Sequence, residues 1–135
     1  MSKEQLIEAA KEMLNFSYTP YSNFKVGAAL LCKDGSVYTG CNIENASFGP
    51  SICAERTAFF KAISEGKKDF EAIAIVGGRN GVIEDFCPPC GVCRQVMSEF
   101  CDPDTFDIYL ANAENKIVSY KLTELMPLIF GKDRI

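Results

Sequence analysis

The amino-acid sequence predicts an α/β protein, a three-layer α/β/α arrangement with helices on both faces of a mixed sheet of about five strands. Three observations carry that prediction. Elements interleave as αββαβαββα along the 135 residues, rather than running as a block of strands and a block of helices. The run Val26-Gly27-Ala28-Ala29-Leu30-Leu31 is apolar at consecutive positions, as expected of a strand covered on both faces. The connections are of two kinds, tight turns that make neighbours antiparallel and helix-length segments that allow a crossover.

Taken in order, Ser2-Lys3-Glu4-Gln5 has the S-x-x-Q form of a capping box, and Leu6, Ala10, Met13, Leu14 and Ser17 follow at helical spacing. The helix must end before Thr19, because the residue preceding Pro20 is pushed out of the α region. The loop 18–23 then delivers Phe24 to a first strand, Phe24 to Cys32. Asp34-Gly35 is a hairpin signal, so Val37 to Cys41 should return antiparallel beside it. Residues 42–51 are polar, punctuated by Gly49 and Pro50, and read as a loop suited to making contacts. A helix is expected over 52–65, with Ala54, Ala58 and Ala62 at i, i+4 spacing and Gly66 as its stop; Cys53 and Glu55 then fall in its first turn.

Residues 70–76 have the apolar character of a sheet interior, and a helix between two strands implies a crossover. Loop follows over 77–86. Pro88-Pro89 lead into a helix over 91–100 with Cys90 and Cys93 at its N-terminal end. Strands over 105–110 and 117–120 flank the turn Ala113-Glu114-Asn115, and Leu122 to Leu125 starts a last short helix.

Length and composition suit one domain spanning 1–135: hydrophobic residues make up 47% and charged residues 24%, ordinary for a globular protein. The longest apolar runs fall well short of the ~20 residues of a membrane span, so no membrane insertion is expected. Acid and amide side chains follow Met1 where a secretion signal would begin its apolar core, which predicts a cytoplasmic protein. In that reducing setting the seven cysteines suit metal binding or catalysis better than disulfides. The net charge of −4 disfavours a nucleic-acid partner, whose phosphates need clustered Lys and Arg, and favours a small-molecule substrate.

Two stretches read as one site: Cys53-Ala54-Glu55-Arg56, and Pro88-Pro89-Cys90-Gly91-Val92-Cys93-Arg94-Gln95. The chain has no histidine, which excludes a Ser/His/Asp triad, a Cys/His nucleophile and every imidazole zinc site. Cys53, Cys90 and Cys93 near helix N-termini would be stabilised as thiolates, and thiolate favours zinc. Three protein ligands leave a fourth tetrahedral position for water, the pattern of a catalytic site. Three thiolates also give the site excess negative charge, which Arg56 and the helix termini would offset, and Gln95 could donate a hydrogen bond to a ligand sulfur. Glu55, two residues from a ligand, is placed to carry protons without binding the metal. Three other readings of the cysteines stay open at this point. They are a redox pair Cys90/Cys93, an iron–sulfur site using the Cys87, Cys90 and Cys93 spacing, and a closed structural zinc with Cys87 as fourth ligand.

C-A-E followed by P-C-x-x-C resembles the zinc nucleoside deaminases, and in detail the small cytidine deaminases. The likeness extends to Tyr21-Ser22-Asn23-Phe24-Lys25-Val26-Gly27-Ala28-Ala29, to Gly40-Cys41-Asn42-Ile43-Glu44-Asn45-Ala46-Ser47 and to Glu124-Leu125-Met126-Pro127. It implies a cytidine deaminase-like fold and one Zn²⁺ per chain on Cys53, Cys90 and Cys93. The implied reaction is hydrolytic deamination of cytidine and 2′-deoxycytidine, by zinc-bound hydroxide attack at C4 with Glu55 as proton shuttle. It further implies that Asn42 and Glu44 bind the sugar hydroxyls, that Phe24 and Ala54 contact the substrate, and that Phe130 reaches a neighbouring subunit's site in a homotetramer. Within the same superfamily a blasticidin S-type deaminase is the nearest alternative, and Asn42-Ile43-Glu44 favours a free nucleoside.

Overall fold

The computed structural model describes residues 1–135. Five strands form one mixed sheet: β1 (Phe24–Cys32), β2 (Val37–Cys41), β3 (Phe70–Arg79), β4 (Asp107–Ala111) and β5 (Ile117–Lys121), in the order β2-β1-β3-β4-β5. Only β3 and β4 run parallel; the other neighbours are antiparallel. Four helices accompany it: α1 (Lys3–Glu12), α2 (Ala54–Ser64), α3 (Gly91–Phe100) and the short α4 (Leu122–Leu125). The predicted α/β/α class and mixed sheet are observed.

The capping box closes as the sequence implies: Gln5 N donates to Ser2 Oγ at 3.2 Å, and Ser2 N donates to Gln5 Oε1 at 2.9 Å. The helical spacing that continues to Ser17 is realised only in part, because the chain tightens into a 3₁₀ turn, Met13–Phe16, before the Pro20 loop. Along β1 the side chains alternate between two cores. Ala29 and Leu31 meet Leu6, Ile7 and Ala10 of α1, while Ala28, Leu30 and Cys32 share a larger core with Ala58 and Phe59 of α2 and Met97 of α3. The doubly covered strand is thus real, and β1 is an interior strand of the sheet, between β2 and β3.

The functional layer lies on the α2/α3 side. Helix α2 links β2 to β3 across β1, and α3 is the crossover of the parallel pair β3/β4. Helix α2 rests directly on β2 at Gly40, where an added Cβ would lie 2.3 Å from Ala54 O and 2.7 Å from Ala58 N. That contact brings the first turn of α2 down onto the sheet.

Three boundaries differ from the sequence-based expectation. Helix α2 begins at Ala54, not at 52, because Ile52 is occupied in a bridge with Ile43: Ile43 N donates to Ile52 O at 3.1 Å and Ile52 N to Ile43 O at 3.0 Å. Strand β3 runs on to Arg79, since Gly77 and Gly78 pair with Val26 and Lys25 of β1. Strand β4 starts at Asp107, not at 105, because Asp102 O accepts from both Thr105 N and Phe106 N in a turn.

Candidate metal centre and substrate cavity

Cys53 is the N-cap of α2, one position outside the helix in whose first turn it was expected, whereas Cys90 caps α3 and Cys93 lies in its first turn, as the helix expected over 91–100 implies. Both helices pack on the same sheet face, and their N-termini bring the three Sγ atoms within 4.8 Å of one another, Cys53 and Cys90 at 3.8 Å. Arg56, one turn along α2, donates from its terminal nitrogen to Cys53 Sγ at 3.3 Å.

The protonation pattern follows from this geometry. The Cys53 thiol is lowered to about 5, first by a hydrogen bond from Cys93 and then by those of Arg56 and Cys90, against a desolvation cost. Cys93 moves the other way because its thiol is the donor to Cys53. Of the three thiols Cys53 is thus the one whose ionisation the surroundings favour, with Cys93 donating to it. Three converging sulfurs of that kind fit a soft, tetrahedral cation and leave one coordination position without a protein ligand.

Cys87 stands apart from this group. Its sulfur lies against Gly77, 2.9 Å from where a Cβ would be, and burial pushes its thiol up to about 12. The closed four-cysteine alternative is disfavoured by that placement.

Glu55 is 4% exposed, and its Oε1 is buried with no hydrogen-bond partner. Desolvation raises its carboxyl to about 7, opposed most by a hydrogen bond from its own backbone N–H. A carboxyl poised near neutrality can both accept and return a proton.

Beside the cluster opens a cavity of about 400 Å³ whose walls include Cys53, Ala54, Glu55 and Cys90, with Asn42 and Glu44 among the lining residues. Asn42 Oδ1 accepts from Val26 N at 2.9 Å and its Nδ2 donates to Phe24 O at 2.8 Å, while Glu44 Oε1 accepts from Tyr21 N at 3.0 Å and Ser22 N at 3.1 Å. Asn42 is thus fixed by the backbone of β1 and Glu44 by that of the loop before it. Phe48, Ser51 and Ile52 also line the cavity and are not among the sequence-predicted site residues. The signal available for Phe48 was an aromatic in an otherwise polar loop; it is 82% exposed.

Phe24 does not line this cavity, and Phe130 was expected to serve a neighbouring subunit's site rather than its own. Phe24 lines a separate cleft of about 220 Å³ with Arg79 and Phe86, and Phe130 is 64% exposed near the C-terminus. The expectation that Gln95 supports a sulfur is corrected: its amide donates to Phe130 O at 2.8 Å. Two residues of α-helix rotate a side chain by about 200°, so Gln95 points away from the face that carries Cys93.

Comparison with known proteins agrees with this geometry. Residues 1–107 match the family model described as the cytidine and deoxycytidylate deaminase zinc-binding region, a span that contains all three clustered cysteines. A cytidine deaminase of Halalkalibacterium halodurans is 51% identical over 130 residues, covering 96% of this chain and 95% of the relative. One of Sporosarcina psychrophila is 45% identical over 133 residues, covering 98% and 94%. The crystal structure of a cytidine deaminase from Burkholderia pseudomallei superposes with a TM-score of 0.87 at 46% identity, covering 96% of this chain and all of that one. The metal that this donor set and this match together specify is zinc, one per chain. By the matched region, the shared fold and the three-cysteine centre, the chain belongs to the cytidine and deoxycytidylate deaminase family.

Proposed function

We propose that this protein hydrolyses cytidine and 2′-deoxycytidine to the corresponding uridines and ammonia, in pyrimidine nucleoside salvage. The observation that carries the reading is Glu55, a buried carboxyl raised to about 7 with a free oxygen, beside three converging thiols on the wall of a nucleoside-sized cavity. Zinc held by Cys53, Cys90 and Cys93 supplies Lewis acidity that makes water a competent nucleophile near neutral pH.

The chain's own residues do the rest. Glu55 takes a proton from the attacking water at Oε1 and gives it to ring nitrogen N3, then takes the proton of the new C4 hydroxyl and gives it to the amine as the C4–N bond breaks and ammonia leaves, positioned transfers worth about 10² to 10⁴ in rate. Arg56 neutralises charge on Cys53. Ala54 lines the cavity between them, and Asn42 and Glu44 bind the sugar hydroxyls. The only guanidinium lining the cavity is that of Arg56, which is engaged with Cys53, and the wall carries the carboxylate of Glu44; both support an uncharged nucleoside over a nucleotide.

We further read residues 1–135 as one deaminase domain, cytoplasmic, assembling as a homotetramer in which Phe130 serves a neighbour's site. The exposure of Leu128 at 93% and Phe130 at 64% on one terminal segment supports the shared site. Sedimentation should find an oligomer, and a fully active monomer would contradict the shared-site part. The decisive assay follows loss of cytidine absorbance with a zinc determination on the same sample. About one zinc per chain with turnover is expected; zinc-loaded protein without turnover would overturn the reading.

A further inference from the structure

We propose that Ser22 is a positioning residue for sugar recognition: its hydroxyl holds the Glu44 carboxylate in the orientation in which Oε2 keeps one lone pair to accept a ligand hydroxyl. This rests on the reading of Glu44 as a sugar contact.

The hydrogen bonds define the arrangement. Phe24 N donates to Ser22 Oγ at 3.0 Å, which occupies an acceptor position of the hydroxyl and leaves its single proton to be donated to Glu44 Oε2. Ser22 N and Tyr21 N both donate to the other oxygen, Oε1. Glu44 is also tied through its backbone, its N–H donating to Tyr18 O at 2.8 Å. One short loop therefore grips both ends of the carboxylate. Just after these donors Asn23 turns the chain through φ +58°, a left-handed conformation that asparagine tolerates better than most residues, and the next amide, Phe24 N, meets Ser22 Oγ.

The acceptor count makes the distribution informative. A carboxylate oxygen has two lone-pair sites. Oε1 takes two backbone donors and is filled; Oε2 takes only the Ser22 hydroxyl and retains one. The oxygen with spare capacity is the one that Ser22 orients. Glu44 also lines two spaces, the cavity of about 400 Å³ beside the thiols and another of about 390 Å³ on the Ser22 side, lined with it by Tyr21, Ser22, Asn45, Phe48 and Ser51. Without the clamp the carboxylate could rotate toward the second space. The same bonds keep Glu44 below the ordinary carboxyl range, with the Ser22 hydroxyl the largest contribution, so the group stays an acceptor through the neutral range.

The test compares two ligands with the same base, cytidine as substrate and 2′,3′-dideoxycytidine as competitive inhibitor, on the zinc-loaded enzyme. Ser22→Ala should raise KM for cytidine roughly tenfold, the size expected for one hydrogen bond to a charged group, with kcat within about twofold. Zinc content and the inhibition constant of the dideoxy compound should stay unchanged, and Ser22→Thr should restore KM. An unchanged KM, or an equal weakening of both ligands, would show that the loop is scaffold only and overturn the proposal. Glu44→Gln is measured alongside. If it leaves the cytidine KM unchanged, the sugar-contact reading of Glu44 has failed; if it raises KM while Ser22→Ala does not, only the positioning role has failed. Should Ser22→Ala not fold, Ser22→Cys keeps the volume with a weaker donor and must show the same split between ligands, its absence again overturning the proposal.

Discussion

Replacing Glu55 by glutamine separates the energetic cost of this carboxyl from its chemical use. In the metal-free protein Glu55 has a raised pKa, from 4.5 to about 7, and the first cause is desolvation. The sign follows directly. Between those values the folded state keeps a proton that the unfolded chain has released, so this group's contribution is fully present below about 4.5 and is lost as pH rises through about 7. A displacement of that size corresponds to about 3 kcal/mol of stability, an order-of-magnitude figure. The amide of the Glu55→Gln variant cannot ionise, so between about pH 4.5 and pH 8 the metal-free variant should lose less stability than the metal-free parent, by about that amount. Any fixed cost of placing an amide where Oε1 has no partner cancels, because each protein is compared with itself across pH. Urea unfolding of chelator-treated, reduced protein at several pH values measures the two slopes. Loaded with zinc, the same variant should keep its metal and lose turnover by about 10² to 10⁴. Equal pH slopes would refute the buried-carboxyl argument, and retained turnover would refute the shuttle.

Cys87→Ala should still bind about one zinc per chain by elemental analysis, since the Cys87 sulfur lies outside the cluster; loss of the metal would restore the four-cysteine alternative. Arg56→Ala removes a donor to Cys53 Sγ, so the Cys53 thiol rises from about 5 and protons compete better with zinc. A zinc competition titration should show a larger loss of affinity at pH 6 than at pH 8, and a pH-independent loss would count against charge compensation. Gly40→Ala forces a methyl into the backbone of α2 at Ala54 and should cost about 1–3 kcal/mol in urea unfolding together with weakened zinc binding. Unchanged stability there would mean that the helix can back away without disturbing Cys53.

What could be read in advance tracks how local the cause is. Strands β1 and β2 fall where their apolar run and Asp34-Gly35 turn put them, and the Ser2 cap opens α1, because each signal lies within a few residues of its effect. The three clustered cysteines and Glu55 were legible for a similar reason, since chemistry and spacing coincide on two helix starts. The start of α2 was not, because the partner that holds Ile52 out of the helix is Ile43, across a loop. Gly77 and Gly78 resembled loop residues, yet they extend β3 because strand pairing with β1 supplies what their side chains do not. Gln95 was misassigned by helix phase, and nothing near it in sequence announces Phe130 as its partner. The Ser22 clamp on Glu44 joins two loops and became visible only when both were folded.

The thiols of one centre come from two helices separated by the whole of β3, with 37 positions from Cys53 to Cys90. A zinc ion accepted by both helices therefore closes a loop of chain, as a removable cross-link would. A covalent link of that span restrains the unfolded chain by on the order of 4 kcal/mol, and a tightly held ion imposes the same topology for as long as it stays. Metal supply then governs durability as well as turnover. Molecules that have not met zinc lack the tie and should be the first removed by proteolysis, which leaves a surviving pool enriched in enzyme that is ready to work.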